Sequence, residues 1–158
     1  MTQYQDLPVY RHRNEILTAL SNNQVIVVES PTGSGKTTQI PLILKDAGYA
    51  ELGVIGITQP RRIAAMSVSE YIKKQINDEG TYCGYTMRFH DTTDKNTRIK
   101  IMTDGILLQE VKDDPILSRY SVIMVDEAHE RSLNIDFILG LLKEIIREDN
   151  CECCSEEE

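Results

Sequence analysis

No stretch of this 158-residue chain is apolar for long enough to span a bilayer. Its opening segment, MTQYQDLPVYRHRNE, carries no apolar core of the kind that directs export. Membrane association is therefore not expected. Without an export signal, the four cysteines suit a reducing interior (cytoplasm, or nucleus in a eukaryote) better than a secreted disulfide scaffold. Three of them, Cys151, Cys153 and Cys154, form C-x-C-C, which lacks the paired C-x₂-C elements of a zinc site. Tryptophan is absent and phenylalanine occurs only twice, so base-stacking platforms are few. Any contact with nucleic acid should then run to its backbone. There is no internal repeat and no long linker, which leaves one domain of ordinary size.

Basic charge is also in short supply, since the net charge is -8. The deficit is concentrated at the end. Glu148, Asp149, Glu152, Glu156, Glu157 and Glu158 face no basic residue in that segment, and residues 1–147 carry only -2. A near-neutral body can still hold a local basic stripe, although it would bind a polyanion weakly. We draw the domain over 1–148. Residues 149–158 are expected to be a poorly ordered acidic tail or linker.

What is present is an alternation. VYRHRNEILTAL reads as an amphipathic helix with Val9, Ile16, Leu17 and Leu20 on one side, and QVIVVES as a buried strand. GKTTQIPLILKDAG is a helix that stops near Gly48, and GVIGITQP is a strand ended by Pro60. RRIAAMSVSEYIKKQIND is a helix predicted to bury Ile63, Met66 and Tyr71. GYTMRF and TRIKIM are strands around a polar turn, and DGILLQEV is a short helix. YSVIMVDEAHE is a strand running into a loop, and NIDFILGLLKEIIRE is a closing helix. Strands alternating with helices predict an α/β fold with a mostly parallel central sheet.

The segment VVESPTGSGKTTQIPL, Val27–Leu42, is close to the phosphate-loop pattern G-x-x-x-x-G-K-[ST], with Ser30 in place of the first glycine. A strand, a tight loop and a helix start bring backbone N–H groups and a positive helix end onto phosphates. Thr32, Gly33, Ser34, Gly35, Lys36, Thr37 and Thr38 are the candidate nucleotide cradle. Lys36 would reach the β- and γ-phosphates, and the Thr37 hydroxyl would ligate Mg²⁺. Ser30 sits at the strand exit, away from that cradle. The strand YSVIMV delivers Asp126 and Glu127 to the same end of a parallel sheet. Asp126 would hold Mg²⁺, with Glu127 beside it as a further ligand or as the base that deprotonates a water. ATP with Mg²⁺ is the expected ligand. Two solvated carboxylates after a strand are the plain alternative.

Taken together, GSGKTTQIP, TQPRRIAAMSV (Thr58–Val68), GYTMRFHD (Gly84–Asp91), MTDGILLQE (Met102–Glu110) and DEAHERSL (Asp126–Leu133) resemble, in order and spacing, the first RecA-like domain of DEAH-box RNA helicases. The resemblance runs from about Val9 to about Arg147. It implies a three-layer P-loop NTPase domain that couples ATP hydrolysis to movement along, or unwinding of, nucleic acid. It also assigns Thr58, Arg61, Arg62, Thr103, Asp104 and Gly105 to the nucleic-acid backbone, and His129 to coupling with a second domain. From the residues alone, Arg61 and Arg62 could be ordinary surface charges and His129 a loop histidine. The family commonly places a base-stacking arginine where Tyr71 stands, so Tyr71 either stacks on the nucleotide or belongs to the core. The family's GETGSGKT also departs here to Ser30 and Pro31. The chain stops before the family's S-A-T motif and second domain, so it reads as a monomeric fragment with almost no turnover. Its expected partners are single-stranded RNA, with DNA left open, and that second domain. Two other classes compete. A transport motor would have no need of TQPRR and MTDG, and a decayed interaction module would not keep Lys36, Thr37, Asp126 and Glu127.

Overall fold

A computed structural model of the protein describes residues 6–31 and 35–151. Its centre is a five-stranded sheet made of β1 (Val54–Gln59), β2 (Cys83–Met87), β3 (His90–Asp91), β4 (Ile99–Thr103) and β5 (Tyr120–Val125), in the order β3-β2-β4-β1-β5. The pairs β2–β4, β4–β1 and β1–β5 are parallel, and only β3 runs antiparallel, beside β2. The expected α/β class with a mostly parallel sheet is what forms. The helices are α1 (Pro8–Arg11), α2 (Arg13–Asn22), α3 (Lys36–Asp46), α4 (Tyr49–Leu52), α5 (Arg62–Gln75), α6 (Asp104–Asp113) and α7 (Leu133–Cys151).

Period-two alternation divides the strands between two helical layers. Ile55, Ile57, Ile99 and Ile101 point to one face and pack with Leu42 and Ile43 of α3 and Ala65 and Ile72 of α5. Met102, Ile123 and Val125 point the other way, to Leu107 of α6 and Ile138 of α7. Each such isoleucine, fully removed from water, contributes roughly 1.5–3 kcal/mol. Gly56 lies on the second face because only hydrogen fits. A Cβ there would come within 2.8 Å of the Tyr120 ring and 3.0 Å of Met102 Cε.

Three expectations need correction. The segment 24–30 does not form a strand of the sheet, and Val27 is 91% exposed. Ile26 and Val28 still lie half-buried against the core, so the alternation survives without the ladder. The first helix is broken at His12 (φ -93°, ψ 13°), into α1 and α2. On α5, Ile63 (79% exposed), Met66 and Tyr71 face outward. The buried side is Ala65, Ser69 and Ile72, of which Ala65 and Ser69 are small enough to let the helix approach the sheet. The two strands expected around the polar turn form as β2 and β4, which run parallel, and the turn between them contains β3. α7 carries helical backbone across the boundary drawn at 148/149, while 152–158 lie outside the described residues. No helix among the described residues is long and apolar enough to cross a membrane.

Candidate functional site

The carboxyl ends of the parallel strands collect most of the candidate residues at one edge of the sheet. The register sets Gln59 opposite Thr103 and Thr58 opposite Val125, so the chain leaves β1, β4 and β5 at the same level. Directly beyond those ends come Arg61, Asp104 and Asp126. The helices α5 and α6 begin there too, which turns two helix N-termini toward that edge.

α3 supplies the phosphate-loop end. Its N-cap, Gly35, has φ 88° and ψ 16°, in the left-handed region where a side chain is strained. A Cβ there would also sit 3.0 Å from both Gln39 Cγ and Leu7 Cδ1. Gly35 O takes the first helical hydrogen bond, from Gln39 N at 2.8 Å, and a second from Thr38 Oγ1 at 3.3 Å. Lys36 Nζ donates to the carbonyl of Ser30 at 3.3 Å. That contact is to main chain, so Ser30 can take part in it with any side chain. Thr32, Gly33 and Ser34 lie outside the described residues.

Thr37 Oγ1 donates to Asp126 Oδ2 at 2.7 Å, across 89 positions of sequence. The Gln59 amide donates to the same oxygen, and Glu127 N donates to Asp126 Oδ1 at 2.9 Å. Asp126 N is in turn held by Thr58 O at 3.3 Å. Asp126 is thus a buried carboxylate, 4% exposed, with each oxygen oriented by a donor. Its oxygen and the Thr37 hydroxyl form a hard-oxygen set that fits Mg²⁺.

Glu127 has φ 57° and Arg131 φ 50°; they bracket a 3₁₀ turn, Ala128–Glu130. The turn brings His129 Nε2 to 3.3 Å from Glu127 Oε2. Ligand atoms of Glu127, His129 and Glu130 lie within 4.8 Å of one another. Beyond it, Arg131 Nε donates to Asp136 Oδ1 at 2.6 Å, and Ser132 Oγ caps α7 by accepting from Ile135 N at 3.2 Å.

On the other side of the edge, Arg61 pairs with Glu130 at 2.8 Å. Arg62 Nε donates to Met87 Sδ and its Nη2 to the Arg88 carbonyl, both at 3.3 Å. Thr103 is the N-cap of α6, with Asp104 and Gly105 in its first turn. Asp104 is 4% exposed, and one of its oxygens has no hydrogen-bond partner. Burial raises its pKa above the usual carboxylate value, and the charge of Glu130 adds to this; the neighbouring Thr58 hydroxyl offsets only part.

Tyr71 does not join this assembly. It is part of α5, roughly 14 Å along the helix axis from Arg62 at about 1.5 Å per residue. There it lines an open groove with Glu70, Lys74 and Asn77. Three residues of the edge were not singled out from the sequence. Gln59 holds Asp126, Glu130 holds Arg61, and Phe89 projects from the turn after β2. Phe89 is 91% exposed at φ 67°, with the Arg88 guanidinium 4.9 Å from its ring centroid. An aromatic beside an arginine, in a chain with only two phenylalanines, was the signal available for it.

The model of the family DEAD/DEAH box helicase matches residues 10–152. The chain is 58% identical over 142 residues to an ATP-dependent RNA helicase HrpA of Borreliella burgdorferi, covering 89% of this chain and 17% of that protein. It is 48% identical over 147 residues to the ATP-dependent RNA helicase DHX33 of Drosophila melanogaster, covering 92% and 21%. With the HrpA helicase of Escherichia coli the identity is 49% over 147 residues, covering 92% and 11%. The chain therefore spans between 11% and 21% of the length of these relatives. The transport-motor alternative finds no support in these matches.

Proposed function

Since the chain belongs to the DEAD/DEAH-box helicase family, and specifically resembles its ATP-dependent RNA helicases of DEAH type, we propose that it is the nucleotide-binding part of such an enzyme. It binds ATP with Mg²⁺ at the carboxyl edge of the sheet and contributes half of the hydrolytic site. The observation that carries this reading is the Thr37–Asp126 hydrogen bond of 2.7 Å, which joins the phosphate-loop helix to the acidic pair after β5.

Each residue then has a task. Lys36, freed from the Ser30 carbonyl, neutralises the terminal phosphates. Gly35 and the N-terminus of α3 supply N–H donors to them. Thr37 and Asp126 hold Mg²⁺, which, when bound, screens phosphate charge. Gln59 and Glu127 N keep the Asp126 carboxylate aimed. Glu127 takes a proton from the attacking water, and His129, 3.3 Å from it, fixes its orientation. Single-stranded RNA would lie along the same edge, its phosphates met by Arg61, Arg62 and the start of α6. The second domain that completes the groove would come from the rest of the protein.

The test is calorimetry with ADP and Mg²⁺. Wild-type chain should release heat on binding, Lys36→Ala should release none, and Ser30→Gly should match wild type. Equal heats from wild type and Lys36→Ala would defeat the reading.

A further inference from the structure

Glu130 has no task in the proposed function, yet it makes a contact that joins the two halves of the edge. Its Oε1 lies 2.8 Å from Arg61 Nη2, 69 positions away in sequence. The two partners are unequal. The Arg61 side chain is 72% exposed and the Glu130 side chain 27%, so the carboxylate is the more covered half and the guanidinium the approachable one. Only one nitrogen of Arg61 and one oxygen of Glu130 meet. A guanidinium has five N–H donors and suits a bidentate oxyanion. A single-contact, largely exposed ion pair is weak and replaceable.

We propose that Glu130 is a positioning residue that holds Arg61 and competes for it with a phosphate of the bound strand. This rests on the reading of Arg61 as a strand contact. An arriving phosphate takes the guanidinium bidentately and releases Glu130. The turn that carries Glu130 also carries Glu127, and both of its flanks sit in the left-handed region without glycine. Such a backbone persists only while its surroundings hold it. Loss of the Arg61 tie lets the turn relax, and Glu127 and His129 with it.

The experiment uses this chain and a labelled oligouridylate in fluorescence anisotropy at low salt. Arg61→Ala should weaken binding. Glu130→Gln, which keeps the shape and removes the competing charge, should tighten it about two- to fivefold, and Glu130→Asp should stay near wild type. In the Arg61→Ala background, Glu130→Gln should change nothing. A gain that persists undiminished there would be a general charge effect and would overturn the proposal. So would a Glu130→Gln affinity equal to or weaker than wild type while Arg61→Ala is weakened. An Arg61→Ala affinity equal to wild type would instead remove the strand contact itself, and the proposal with it. A second readout needs only a fluorescent ADP. Its affinity for wild type should shift when the oligouridylate is added, and Glu130→Gln without RNA should already have the shifted value. An unshifted Glu130→Gln would show that the tie does not reach the nucleotide site.

Discussion

At the scale of single residues, the edge of the sheet is built from polar groups placed where burial makes them expensive unless paired. Asp126 is satisfied by Thr37, Gln59 and the Glu127 amide. Asp104 is not, and its pKa lies above the usual carboxylate value, chiefly from burial and then from Glu130. The sign of its effect on stability follows from linkage. A carboxyl whose folded pKa is raised binds its proton more tightly in the native state than in the unfolded chain. Its favourable contribution is fully present below the unfolded pKa and is lost as pH rises through the folded one. Asp104→Asn keeps the shape without the titration. The difference in melting temperature, variant minus wild type, should therefore grow as pH rises from the acid range through the folded pKa, and level off above it. A difference that does not change with pH would mean that the Asp104 carboxylate is solvated in a way its burial does not suggest.

At the scale of elements, strand and helix order was legible because periodicity is a local property. The strands β1, β4 and β5 are short, largely apolar runs, and α3, α6 and α7 start or stop at readable signals such as Gly35, Gly48 and Ser132. What escaped was anything decided by a neighbour. The apolar run 24–30 needs a partner strand to become one, and no local feature of VIVV reports whether it has one. On α5, large side chains seemed the natural core, yet a helix pressed against a sheet buries Ala65 and Ser69 because small residues allow the closest approach. The cradle motifs were readable as patterns, whereas Gln59 and Glu130 act only through partners 67 and 69 positions away. Gly56 is of the same kind. It is where β1 makes room for Tyr120. That ring cannot easily retreat, since its hydroxyl donates to Glu110, which also pairs with Lys100. Gly56→Ala should destabilise the chain by about 1–3 kcal/mol. Urea titration should show a lower midpoint with an unchanged slope. A midpoint equal to wild type would mean that the ring swings aside freely.

At the scale of the whole molecule, the described edge has the parts proposed to bind a nucleotide and aim a water, but among the described residues no arginine ion-pairs with Asp126 or Glu127. Arg61 meets Glu130, and Arg131 meets Asp136. Arg62 is turned to the end of β2. A transition-state arginine delivered by another domain or protein is worth roughly 10³–10⁵ in rate. The relatives are several times longer than this chain. We therefore expect the chain alone to bind ATP yet turn it over far more slowly than about 1 s⁻¹, the lower end of typical enzyme turnover. What turnover remains should fall further in Glu127→Gln, with ADP affinity little changed, because in the proposed function Glu127 acts on the water and Lys36 on the phosphates. Phosphate release under single-turnover conditions measures both. A rate near 1 s⁻¹ that is indifferent to Glu127→Gln would mean that the base is another residue and that the chain carries its own charge-neutralising group.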